Sequence, residues 1–493
     1  MSAALDSPNP ASTLAGGPGP QVPSVRVPLQ FVLTGVVALV AGMVILVRRP
    51  DLLATYHYNQ YIIATTHLFV LGWITSIVMG AMYQLVPVAL ETRLYSERLA
   101  RWHFPLHLIA VAGMVWMFWK WDMKQVAHFA SAYAAGVGLF VYNIGRTLWR
   151  VPRWNVVATA VLSALAWFCL TLCAGLAIAA GKCTYESAVS LAPTSFWGAV
   201  IHSLQAVGRF ATRFDQIAAM HAHAHLGVVG IFVMLIVGVS YKLLPMFMLS
   251  DVQQVWRARA SVTLLNLGLA GEFFTIVLRS PLKQVFTAAI VLALVLYGFE
   301  VAAIVQARKR RTLDWGLKYF LTAVGLLAPV SLLAMVLSLP GLPFNALTGQ
   351  LENLYGVLGI LGVVSFAIIG MLYKIIPFLV WYASYSRHIG KARVPSLADL
   401  YSPGLQVAGY WTYLGGLLGA GSGIVLSHPL LCRAGAMLLL TSLGILVVNL
   451  GLILRHLLKP RIQPLRAAPA KLPARRPSTS NPGGKLPLLA RNS

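Results

Sequence analysis

The feature that most limits what this chain can become is a recurrence of apolar runs. Stretches of about twenty residues with few charges fall near 28–47, 60–90, 104–119, 126–148, 154–180, 216–249, 259–278, 284–306, 316–338, 352–381, 404–425 and 430–454. Each can cross the ~30 Å hydrocarbon layer as a helix. The chain is therefore expected to be an all-α polytopic membrane protein with twelve transmembrane helices. Composition agrees: 10% of the residues are charged, where soluble domains carry about 25%. Residues 28–457 read as one membrane domain between two tails, 1–27 and 458–493. The first tail lacks the basic start of a signal peptide. The second is rich in Pro, Ser and Gly, and from Arg455 onward the chain has nine Lys/Arg and no Asp or Glu. Both tails are expected to be disordered.

The net charge of +25 is distributed as the positive-inside rule requires. Loops after even-numbered runs hold Arg93, Arg98 and Arg101; Arg146, Arg150 and Arg153; Arg308, Lys309, Arg310 and Arg311; then Arg387, Lys391 and Arg393. Those loops and both termini are expected on the cytoplasmic side of a bacterial inner membrane. The expected partner of this charge is the lipid bilayer rather than nucleic acid. The longest outer loop, 181–215, contains "SFWGAVIHSLQAVGRF", which reads as a short interfacial helix. Cys169 and Cys173 read as small core residues, and Cys183 and Cys432 as residues of outer loops. No Cys-x-x-Cys-His occurs, so covalent haem attachment is not supported.

An internal repeat relates three of the runs. "THLFVLGWITSIVMGAMYQLVP", "AHLGVVGIFVMLIVGVSYKLLP" and "GVLGILGVVSFAIIGMLYKIIP" align without gaps. His67, His225 and Val357 take the opening position. Gly72, Gly230 and Gly362 follow, then Gly80, Gly238 and Gly370, then Tyr83, Tyr241 and Tyr373, and last Pro87, Pro245 and Pro377. The copies are four spans apart, so the chain reads as three pseudo-repeated four-helix arcs. The glycines suit close helix packing in lipid, and the tyrosine and proline mark the cytoplasmic helix ends. The opening position lies about 24 Å from the tyrosine along a helix. That sets His67 and His225 at one depth near the outer face.

Histidine carries the chemistry. In "HAHAH", His221 and His225 share a helix face, and His223 points nearly the opposite way. One helix can thus serve two sites. Neutral imidazole ligates iron, copper or zinc, and two histidines at equal depth suit the axial positions of a haem. His67 and His225 are the expected pair, with His223 as ligand of a second site and His221 as a metal ligand. His103 and His107 lie too far toward the cytoplasmic end to join them. His128 and His202 read as packing residues. Glu272 and Glu300 are carboxyls within spans, where a charge is costly. They read either as a proton path or as local hydrogen-bond partners.

Twelve helices in three arcs, with His-x-His, Gly, Gly, Tyr and Pro along one helix, resemble the catalytic subunit (subunit I) of the heme–copper oxidase superfamily. Its C-type cytochrome oxidases and nitric oxide reductases are the branch most like it. The resemblance implies that His223 and His225 bind a high-spin and a low-spin haem respectively. It implies a b-type haem (heme b), a second haem or copper, and oxidoreductase chemistry. It also implies a cytochrome c-type or quinol electron donor and further membrane subunits. The pattern departs from the family in two ways. The His-x-His pair lies on the sixth span instead of the tenth, and span 7 holds none of the copper-site histidines. The expected function is a haem-binding, oxidase-like protein of electron transfer or of oxygen or nitric oxide chemistry. The alternative is a haem-free transporter or assembly factor for metal ions or protons on the same scaffold. Unbroken second helices speak against that alternative, because transporters often unwind helices at the substrate site.

Overall fold

The computed structural model describes residues 25–182 and 195–464. Cys183 and most of both expected tails lie outside the described residues. Twelve long helices follow one another at the expected places: α1 Arg26–Arg48, α2 Gln60–Ala89, α3 Glu97–Lys120, α4 Met123–Leu148, α5 Val156–Lys182, α6 Gln216–Met248, α7 Val255–Val277, α8 Lys283–Gln306, α9 Trp315–Leu337, α10 Ala346–His388, α11 Pro403–Val425 and α12 Pro429–Leu458. Ten are long and apolar enough to cross a membrane, while α4 and α11 have the length with a less apolar composition. Residues that satisfy free backbone N–H groups start them. The side chains of Asp122, Asp215, Asp314 and Asn345 each accept a backbone N–H in the first turn that follows. The amphipathic stretch of the outer loop is a helix, Phe196–Ala211. The only sheet among the described residues is a two-residue antiparallel pair of Ala392–Arg393 with Gln463–Pro464.

The helices pack as successive hairpins, α1 with α2 through α11 with α12, and two hairpins make each arc. The second helices of the arcs, α2, α6 and α10, meet one another at the centre. There the buried Trp73 indole on α2 donates to Ser365 Oγ on α10 at 3.0 Å. The repeat glycines do in each arc what close packing requires. A Cβ on Gly80 would stand 2.7 Å from Phe31 Cβ on α1, one on Gly238 would collide with Ala160 on α5, and one on Gly370 would stand 2.6 Å from the Gly316 carbonyl on α9. Each second helix thus lies against the first helix of its own arc, at a separation only glycine permits.

The end of the bundle that carries the repeat tyrosines has a second device, on the fourth helices. Asn143 on α4 accepts from Ser96 N at 3.0 Å and donates to Ser96 O at 2.7 Å. Asn449 on α12 does the same with Ser402, at 2.8 and 3.1 Å. Glu300 on α8 accepts from Gln253 N at 2.6 Å and Gln254 N at 3.0 Å. Ser96, Gln254 and Ser402 are the residues that cap α3, α7 and α11. One polar side chain of each fourth helix therefore holds the start of the third helix. The repeat tyrosines join in: Tyr83 bonds His103 Nδ1 at 2.9 Å, Tyr241 bonds Ser261 Oγ at 2.7 Å, and Tyr373 accepts from Asn449 Nδ2 at 3.3 Å.

Three local features differ from expectation. The second helices are continuous but not uniform. Each widens into a π-helical stretch, Leu68–Thr75, Val228–Val233 and Leu358–Val364, around its first repeat glycine. Hydroxyls of Thr75, Ser76 and Ser365 bond the carbonyl five residues back, at 2.7, 3.3 and 2.8 Å, which matches the wider turn. Such stretches concentrate at functional sites. The repeat prolines sit inside the helices rather than at their ends, and α10 runs well past Pro377. Cys169 and Cys173 are exposed on the outside of α5, so they face lipid instead of core, and Cys432 is buried in the first turn of α12 instead of lying in a loop.

Candidate functional site

One cavity of about 1110 Å³ runs across the histidine-bearing ends of α2, α5, α6 and α10. Pockets of roughly 300–1,000 Å³ hold drug-sized ligands, so this space admits a planar macrocycle. His67, His221, His223 and His225 all line it, and so does Glu272.

Three of these imidazoles share one arrangement. His67 Nδ1 lies 2.8 Å from the Ile63 carbonyl, His223 Nδ1 3.0 Å from the Thr171 carbonyl on α5, and His225 Nδ1 2.8 Å from the His221 carbonyl. A carbonyl has no proton to give, so Nδ1 carries the hydrogen in each ring and Nε2 keeps its lone pair. Metal-ligating histidines are typically held this way, with the second nitrogen fixed by a carbonyl or carboxylate. The residues present therefore fit the axial ligands of an iron porphyrin.

Their directions differ. His67 packs on Phe118 of α3 with ring centroids 4.4 Å apart. His223 reaches toward α5, where Gly175 makes room for it: a Cβ there would stand 2.9 Å from the ring. His225 turns the other way and stacks on Tyr355 of α10, centroids 5.9 Å apart and planes 25° from parallel, with Nε2 3.3 Å from the hydroxyl. The two faces of "HAHAH" thus look toward α5 and toward α10. His221 lines the cavity as well. Its Nε2 stands 2.7 Å from Nε2 of His57, in the loop before α2.

The two carboxyls separate. Glu272 Oε1 accepts from Thr287 Oγ1 at 2.9 Å, and its buried Oε2 has no hydrogen-bond partner among the described residues. Glu300 is fully buried beside Arg257, 3.6 Å away, at the start of α7; it does not line the cavity. His103 and His107 are buried within the first arc, bonded to Tyr83 and to Ser76 Oγ at 2.8 Å. His128 and His202 are exposed.

Sequence reasoning missed His57, Glu352 and a role for Tyr355. Burial pushes the His57 imidazole below its usual pKa range, with Asn353 opposing the shift. The available signal for Glu352 was its charge: it is the one carboxylate of α10, and carboxylates in spans are costly. His57 belongs to no span, and nothing in its neighbourhood in sequence marked it.

Fold and cavity define an all-α polytopic membrane protein with an imidazole-lined interior. Residues 12–127 match the family described as cytochrome c and quinol oxidase polypeptide I. A "Cytochrome c oxidase subunit 1 homolog" of Agrobacterium tumefaciens is 34% identical across 19% of this chain. That match spans 19% of the relative's length. Both similarities are to oxidase subunit I proteins, and each covers a minor part of the chain.

Proposed function

We propose that this chain is a haem-binding, oxidase-like protein of a bacterial inner membrane, with both termini cytoplasmic. The observation that carries the reading is the set of three imidazoles, on two repeat-equivalent helices, with Nδ1 held by carbonyls and Nε2 turned to one cavity. His67 and His223 would hold a b-type haem, because both line the cavity while His225 is engaged with Tyr355. His225, beside Tyr355, serves a second haem or metal toward the third arc. A bound haem would supply one-electron transfer or a coordination position for oxygen or nitric oxide. The chain's own part is to bind and orient the haem and exclude lipid from it. Glu272, with one buried oxygen unpaired beside the cavity, is the group placed to hold a proton there. A cytochrome c-type or quinol donor and other membrane subunits complete the reading.

The test is an optical spectrum of the purified protein, oxidised and dithionite-reduced, with His67→Ala, His223→Ala and His225→Ala. A sharp reduced α-band that is lost in the first two variants supports the assignment. Loss in His67→Ala and His225→Ala with retention in His223→Ala would restore the pairing expected from the repeat. A colourless protein after expression with ample haem overturns the reading and leaves the haem-free transporter or assembly factor.

A further inference from the structure

Three side chains from separate stretches of the chain converge outside the imidazole pair described above. His57 comes from the loop before α2, His221 from the second turn of α6 and Glu352 from the second turn of α10. One potential ligand atom from each lies within 4.8 Å of the other two. The His57 and His221 Nε2 atoms stand 2.7 Å apart, and His57 Nδ1 is 3.8 Å from Glu352 Oε2. Two ring nitrogens at that distance must share one proton. Buried His57 Nδ1 and Glu352 Oε2 have no hydrogen-bond partner among the described residues. Ring nitrogens in contact beside an unpaired carboxylate oxygen form a poor hydrogen-bond network but a good ligand set.

The support is as specific as the cluster. Asn353, next to Glu352, donates from Nδ2 to the Thr55 carbonyl at 2.7 Å, which ties the His57 loop to α10. Asn59 caps α2 by accepting from Tyr61 N at 2.9 Å and fixes the other end of that loop. The His57 ring lies against Tyr56 at 4.3 Å and His221 at 5.0 Å. Asp215 and Lys283 are the flanking charges of His221. The three ligands are thus held by three different helices' ends rather than by one flexible segment.

We propose that His57, His221 and Glu352 bind a borderline divalent transition-metal ion of the zinc or copper(II) kind. Two imidazoles and one carboxylate are a donor set for such ions, with a fourth position for water. Calcium and magnesium prefer all-oxygen sites. Bonds of about 2.0–2.1 Å in tetrahedral geometry put ligand nitrogens about 3.3 Å apart, so binding opens the His57–His221 contact by roughly half an ångström. The site stands independently of the haem reading.

The experiment is equilibrium dialysis of the chelator-stripped, detergent-purified full chain against Zn²⁺ or Cu²⁺, with bound metal counted by mass spectrometry. The wild type is expected to hold about one equivalent of either ion and to ignore Ca²⁺ and Mg²⁺. His57→Gln and Glu352→Gln lose it, and Asn353→Ala weakens it by about 10–100-fold, as loss of a supporting group does. Electron paramagnetic resonance of the Cu²⁺-loaded wild type should show two imidazole nitrogens on the ion. Binding that is equal in wild type and both Gln variants, or wild type that binds neither ion, overturns the proposal. Glu352→Gln keeps shape and size, so it answers the question if His57→Gln fails to fold. A haem band intact in a variant that has lost the ion separates this site from the haem. A colourless protein that still binds one equivalent supports this site while removing the haem reading.

Discussion

Two pairs of histidines, each four residues apart on one helix, have opposite fates in this molecule. His103 and His107 on α3 are 0% and 1% exposed. Each gives one nitrogen to a hydroxyl, of Tyr83 and Ser76, and both lie against the Phe31 ring, 5.1 and 5.5 Å from its centroid. His221 and His225 on α6 border the large cavity, and His225 turns its proton toward its own helix backbone. Spacing along a helix sets only which residues share a face. Whether that face can take a ligand depends on what the neighbouring helix brings. The first arc brings hydroxyls and phenyl rings and closes the space. The α6 pair meets His57 from a loop and Tyr355 from α10, and a cavity stays open beside it.

The largest expected effect tests this contrast directly. His223→Ala should abolish the reduced haem band, while His107→Ala should keep it; absorbance of the two purified variants decides. A band lost equally in both would mean that the closed pair also serves the cofactor, and the contrast would fail. Next comes Glu300→Ala at the start of α7. It strips two backbone N–H groups of their acceptor and leaves Arg257 unpaired, which should cost about 3 kcal/mol of stability. Thermal unfolding in detergent reads that cost, and Glu300→Gln, which still offers a carbonyl oxygen, should lose less. His103→Leu leaves the Tyr83 hydroxyl unpaired in the same kind of node. It should cost about 1–3 kcal/mol with haem content unchanged. A haem loss there without a stability loss would place His103 on a functional path.

Much of the fold was readable because membrane helices announce themselves by length and apolarity, and because glycine and tyrosine recur at fixed offsets in all three copies. The role of Glu300 was not readable. Its counterparts are asparagines, Asn143 and Asn449, and only the three-dimensional superposition of function, a grip on a neighbouring N-cap, relates an acid to two amides. The candidate residues could be read from the sequence, but their directions could not. Equal depth related His67 to His225. The azimuth that turns His223 to α5 and His225 to Tyr355 depends on packing that no single helix records. The π-helical widening beside each opening position shifts that azimuth further, and the sequence carries no periodic mark of it. His57 and Glu352 stand 295 positions apart in the chain, a distance at which only folding makes them neighbours.

The smallest effect is the most discriminating for the open face. Tyr355 lies 3.3 Å from His225 Nε2, a long hydrogen bond. A neutral imidazole with Nδ1 protonated has one lone pair, on Nε2. That pair can accept from Tyr355 or bind a metal, not both. If His225 is a ligand, Tyr355→Phe removes a bond that the loaded protein does not use. Stability should then change by less than about 1 kcal/mol, and cofactor content should stay at the wild-type level. If His225 is instead a packing residue that holds Tyr355, the same change should cost about 0.5–1.5 kcal/mol, and His225→Ala should cost no cofactor at all. Thermal unfolding of cofactor-loaded Tyr355→Phe beside the spectrum of His225→Ala distinguishes the two, because the first reading predicts loss only in the spectrum and the second only in stability.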